Sequence, residues 1–121
     1  IFSIHWGQNF QNKNNTTTYL QVKAETFFKN LCNLGADVIF GHGAHHIMEK
    51  SHEIYNNKLI IYGLGDFTGD FKYVKQFNTD KSLMLIYDTD NHSVEKLLVS
   101  GNYKPYKDTY NEIINCKQPY I

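Results

Sequence analysis

Four of the six histidines in this chain fall in one short stretch, "GHGAHHIMEKSH" from Gly41 to His52, and a fifth, His5, stands in "IHWG". A neutral imidazole is the commonest protein metal ligand, and it also exchanges protons near neutral pH. The GHxxH spacing of Gly41, His42 and His45 is short and only moderately specific. It leaves two readings open: a divalent-metal site, or a polar loop whose histidines bond to their own surroundings. Thiolate chemistry is a poor fit, because Cys32 and Cys116 are far apart and form no CxxC pattern. That spacing argues against both a cysteine zinc site and a dense disulfide framework.

What decides between the readings is where the chain puts the imidazoles. "IFSI", Ile1 to Ile4, is apolar and β-branched, as a buried strand is, and stops at His5-Trp6-Gly7. After a polar loop, Thr18 and Gln21 form a capping box. Leu20, Ala24, Phe27, Phe28, Leu31 and Leu34 then recur at helical spacing on one predicted face, which Gly35 ends. "DVIF", Asp37 to Phe40, is a second short strand, stopping at Gly41-His42. Strand, helix, strand is a βαβ unit with parallel strands, so His5 and His42 emerge at the same carboxyl edge, where open α/β sheets build their sites. Gly41 and Gly43 flank His42 and let the backbone approach closely.

Further along, "HEIYNNKLIIYGLGDF" reads as a hairpin around Asn56-Asn57, and "SLMLIYD" with "SVEKLLVS" reads as another across "TDNH". The last twenty residues are polar and tyrosine-rich, an extended tail. At 121 residues and 41% hydrophobic, the chain holds one core and not two. Twelve basic residues balance twelve acidic ones without blocks of either sign, which gives no electrostatic footprint for nucleic acid. No apolar run approaches transmembrane length.

Several other residues carry two readings each. Trp6 either walls a site or packs in the core. Asn9 either donates its amide to a phosphate or carboxylate or belongs to a solvated turn. Asp66 either orients a ligand imidazole or caps the following turn. His46 and His52 are candidates beside a surface role, while Asp70 and His92 read as structural, the latter within a hairpin turn.

Three motifs in order, HWG at His5, GHxxH at His42 and His45, and "YNNKLIIYGLGDF" from Tyr55, resemble the second half of the poly-γ-glutamate/capsule biosynthesis protein CapA family, which belongs to the calcineurin-like metallophosphoesterases. The likeness runs from Ile1 to about residue 90. Asn9 departs from the acidic residue that many members carry there, and a subgroup with HWG-x-N, a second histidine like His46 and an acidic residue like Asp70 after GDF fits better.

The resemblance implies an α/β sandwich of two mixed sheets flanked by helices, of which residues 1–121 would be the C-terminal portion, the N-terminal half lying upstream. It implies that His5, His42 and His45 are metal ligands and the catalytic group, with Trp6, Asn9, His46 and Asp66 around substrate or behind the ligands. Two divalent ions, Mn, Fe or Zn, roughly 4 Å apart would share a hydroxide and stabilise an in-line displacement. Further ligands would come from upstream of the HWG motif. The implied partners are a phosphate ester or anionic polymer and a membrane synthesis or export complex, in an extracytoplasmic or membrane-associated setting. Two readings without phosphoesterase chemistry stand beside this: an accessory subunit that binds an acidic polymer or assembly partner, and a closed structural zinc on the three imidazoles.

Overall fold

A computed structural model describes residues 1–7, 19–67 and 74–100. Thr18, Asn9, Asp70, Cys116 and the expected tail lie outside the described residues. The alternation expected from the pattern is present. Strand β1 (Phe2–His5) leads to helix α1 (Tyr19–Asn33) and strand β2 (Val38–His42), followed by the hairpin β3 (His52–Tyr55) and β4 (Lys58–Ile61). A 3-10 turn (Lys75–Phe77) precedes a second hairpin, β5 (Lys81–Tyr87) and β6 (Val94–Ser100). The chain is α/β.

The first sheet is mixed, in the order β1-β2-β4-β3, with β1 and β4 both parallel to β2 and β3 antiparallel to β4. Asn56 and Asn57 turn the β3–β4 hairpin at φ 49° and 59°. A two-residue hairpin needs positive φ at both central positions, and asparagine tolerates it best after glycine. The second sheet among the described residues is a two-stranded antiparallel ribbon, the hairpin expected of these segments, and α1 is the one α-helix among the described residues. The physical reason is local. The backbone N–H of Asp88 closes on the carbonyl of Ser93, and the Asp88 carboxylate accepts the N–H groups of Asp90 and Asn91. So short a turn can join only antiparallel neighbours.

Helix α1 ends where Gly35 takes φ 110°. The N–H of Gly35 reaches the Cys32 carbonyl and that of Ala36 the Leu31 carbonyl, the two bonds of a Schellman ending. The buried helix face is Ala24, Phe28, Leu31 and Cys32, with Phe28 1% and Cys32 4% exposed. Phe27 and Leu34, expected on that face, are 50% and 84% exposed. Both stripes have helical spacing, but successive residues lie about 100° apart around the axis. Only the stripe through Phe28 faces β2 and β4.

The core closes around three aromatic rings. Trp6 meets Phe28 edge-on at 5.7 Å and Tyr62 at 6.2 Å, while Phe28 stacks on Tyr62 at 5.7 Å. Each such pair adds about 0.5–1.5 kcal/mol beyond its area burial. Ile39 and Ile60, register partners on β2 and β4, complete the layer and are fully buried.

Candidate functional site

His5 and His42 are the last residues of β1 and β2, not the first residues after them, and they are direct partners in the parallel ladder. Residues paired in a parallel ladder project to the same face, so the two imidazoles stand side by side at the carboxyl end of the sheet. Their ring centroids are 5.4 Å apart with planes at 89°. Ser3, two residues before His5 on the same face, places its Oγ 3.1 Å from Nε2 of His42.

Gly43 makes room for His5, and Gly41 for the Trp6 indole on the opposite face. Gly43 has φ 116°, and a Cβ there would sit 2.8 Å from Nε2 of His5. A Cβ on Gly41 would meet the Ile61 carbonyl at 2.6 Å and the Trp6 indole nitrogen at 2.7 Å. The first glycine lets the loop turn beneath His5, and the second lets the Trp6 indole lie directly on β2.

Trp6 therefore belongs to the core and is no substrate-facing wall. Its backbone N–H continues the ladder to the His42 carbonyl at 2.9 Å, its side chain is 8% exposed, and the indole N–H donates to the Tyr62 carbonyl at 2.9 Å. Strand alternation sends Trp6 to the face opposite His5. His46 is likewise interior, 1% exposed, with Nδ1 2.9 Å from the Ile47 carbonyl and its ring 4.7 Å from that of Phe77. A ring buried this way is removed from any substrate-facing position.

His45 sits at φ 61°, and its Nδ1 lies 2.6 Å from Oδ2 of Asp66. Asp66 thus meets an imidazole, while the turn it was also expected to cap runs into residues outside the described ones. A carboxylate fixes both the orientation and the tautomer of the ring it accepts from. His52 opens β3 beside the Ser51 hydroxyl at 2.8 Å, and burial, then the charge of Lys96, pushes its pKa down. His92 lies in the β5–β6 turn at φ 60°, with Nδ1 2.8 Å from the Tyr87 hydroxyl, a structural place as expected.

The donors suit a divalent transition metal by chemistry, but among the described residues no group of three or more His, Cys, Asp or Glu side chains is gathered to hold one. His5 with His42, and His45 with Asp66, are two pairs and not one closed cage. The fit is to part of a ligand shell.

Sequence reasoning missed a polar cluster behind the sheet. Glu53 Oε1 accepts the Tyr62 hydroxyl at 2.6 Å and lies 3.1 Å from Lys50 Nζ and 3.4 Å from Lys29 Nζ, while Lys50 also reaches Glu25 at 2.9 Å. Burial pushes the Glu53 carboxyl up, yet the Tyr62 and Lys50 hydrogen bonds and the two lysine charges hold it below its ordinary range. Burial, reinforced by the Glu53 carboxylate, drives the Tyr62 phenol far up, so it remains a donor. No motif spacing marks this cluster, since its members come from α1, the histidine loop, β3 and the residue that follows β4.

The bacterial capsule synthesis protein PGA_cap family matches residues 1–70, which contain β1 through β4, the His5–His42 pair and the His45–Asp66 pair. The chain belongs to the bacterial capsule synthesis protein family. Within curated members it is 31% identical over 109 residues to a probable polyglutamine synthesis accessory protein of Mycobacterium tuberculosis, covering 88% of this chain and 26% of that protein. It is 29% identical over 91 residues to the capsule biosynthesis protein CapA of Bacillus anthracis, covering 75% of this chain and 20% of the relative. To the PGA biosynthesis protein CapA of Bacillus subtilis it is 36% identical over 70 residues, covering 58% and 16%. This capsule synthesis family chain thus spans about a quarter or less of the length of the relatives it matches. No solved structure matches it significantly. No helix among the described residues is long and apolar enough to cross a membrane.

Proposed function

We propose that this chain supplies the imidazole side of a divalent-metal site in a capsule or poly-γ-glutamate synthesis protein with a calcineurin-like fold and phosphoesterase-type chemistry. The observation that carries the reading is the register pair His5 and His42, rings 5.4 Å apart at the carboxyl end of a parallel sheet. His45, backed by Asp66, is the third donor, and donors outside the described residues complete the shell. Mn, Fe or Zn is the fitting ion class for imidazole with carboxylate. When bound, such ions supply an activated hydroxide and charge stabilisation at a phosphoryl group. The chain's own part is to hold the imidazoles in place: the β1–β2 ladder fixes His5 and His42, and the Asp66 carboxylate fixes His45. A phosphate ester, or an anionic polymer carrying carboxylates, is the substrate class that cationic centres would draw, with a membrane synthesis or export complex as the setting.

A second reading is favoured by one specific observation, the likeness over 88% of this chain to a relative named for an accessory role. In it the chain is part of a non-catalytic accessory protein; the Mycobacterium tuberculosis relative is named a probable polyglutamine synthesis accessory protein. Metal content and hydrolysis of aryl phosphate mono- and diesters, measured together on the full-length protein that contains this chain, separate the two. Hydrolysis that rises with bound metal supports the first; full metal occupancy without hydrolysis across the panel moves the function to the accessory reading.

A further inference from the structure

The loop that bears His45 is tied to β5, some 36 residues later in sequence, through a narrow segment, residues 64–66. Ile47 and Leu64 form an isolated β-bridge, and Met48 N–H donates to the Gly63 carbonyl at 3.1 Å. On the other side of the segment, Leu83 N–H donates to the Leu64 carbonyl at 2.7 Å. Gly65 lies between the two at φ 81°, where a Cβ would stand 3.0 Å from the Lys81 carbonyl and 3.3 Å from the Ile47 nitrogen. The strip is therefore close-packed from β5 to the histidine loop. At its end Ser82, 2% exposed, donates its hydroxyl to the carbonyl of Asp66, the residue whose carboxylate lies 2.6 Å from Nδ1 of His45.

We propose that Ser82 is a positioning residue for His45: by holding the Asp66 backbone it keeps the Asp66 carboxylate on Nδ1, fixing that imidazole as the Nδ1–H tautomer with Nε2 as the ligating nitrogen. An ionised carboxylate only accepts, so the nitrogen facing it must carry the hydrogen. A hydroxyl anchored on β5 stops Asp66 from swinging, and His45 keeps a positive φ because its surroundings over-determine it. The role of Nε2 as a ligand rests on the metal reading above; the tautomer does not.

The test is a two-bond proton–nitrogen correlation spectrum of the metal-free, nitrogen-15-labelled full chain, above the imidazole titration range, with His45 assigned by His45→Gln. Wild type is expected to show one Nδ1–H tautomer for His45. Ser82→Ala is expected to lose it to a mixture containing Nε2–H, and Ser82→Thr, which keeps the hydroxyl, to restore it. An unchanged tautomer in Ser82→Ala overturns the proposal. Should Ser82→Ala not fold, the wild-type spectrum still decides, because an Nε2–H tautomer there overturns it directly. Zinc titration of the same samples keeps the two readings apart. The expected tautomer pattern without zinc uptake supports the role of Ser82 while removing the metal reading, whereas zinc uptake with an Nε2–H tautomer in metal-free wild type overturns the role of Ser82.

Discussion

Gly43 lies directly beneath His5, so closely that a β-carbon on Gly43 would stand 2.8 Å from the imidazole Nε2. The first imidazole of the site is thus seated on the loop that follows the second, and β1 and β2 are locked together at their ends by a side chain resting on bare backbone. Gly43→Ala should displace the His5 ring and also strain a backbone at φ 116°. The expected result is weaker metal binding together with lost stability, read by zinc titration and by the urea midpoint on the same protein.

Gly41→Ala should separate these two effects. Its β-carbon would strike the Ile61 carbonyl in β4 and the Trp6 indole on the face opposite His5. Overpacking of this kind costs about 1–3 kcal/mol. Chemical denaturation should show that loss, while zinc affinity of the folded protein stays near wild type.

The polar cluster at Glu53 predicts a pH dependence whose sign is fixed. The folded-state pKa of Glu53 is held below its ordinary value of 4.5, so its contribution to stability is present above pH 4.5 and is lost as pH falls through the folded value. Glu53→Gln should flatten the acid limb of a stability-versus-pH curve below pH 4.5. Tyr62→Phe removes a donor to a charged acceptor and should cost about 1–3 kcal/mol at neutral pH. Urea unfolding across the acid range checks both; an acid limb in Glu53→Gln as steep as in wild type would contradict the assignment.

The elements that position the imidazoles were legible because each has a local cause. Gly35 ends α1, Asn56-Asn57 turns the first hairpin, and the short apolar runs make β1 and β2. Parallel pairing then follows from strand, helix, strand, and it brings His5 and His42 together. Finer placements were not legible where two patterns share one period. Phe27 and Leu34 have the same helical spacing as the stripe through Phe28, and only the sheet beneath selects between them. His45 and His46 are neighbours of identical type, yet one meets Asp66 and the other is buried against Phe77. Glu53, Tyr62 and Lys50 meet through tertiary contacts that no spacing encodes.

Asp66→Ala tests the support behind His45. Loss of an outer hydrogen-bond partner of a ligand imidazole typically lowers metal affinity about 10–100-fold. Calorimetric zinc titration of Asp66→Ala should fall in that range, with little change in the urea midpoint because the pair is only part-buried.

The assignment of His5, His42 and His45 as metal ligands is checked by titrating zinc and manganese into the full-length protein that contains this chain and into its single histidine variants. Wild type should bind a divalent ion. His5→Ala, His42→Ala and His45→Ala should each lose more affinity than Asp66→Ala, because each removes a ligand and not a partner of one. His46→Ala should lower the unfolding midpoint, its ring being buried, and leave the affinity of the folded protein unchanged. Wild-type affinity retained in folded His42→Ala, or no uptake of either ion by the full-length wild-type protein, would contradict the ligand role of the three imidazoles.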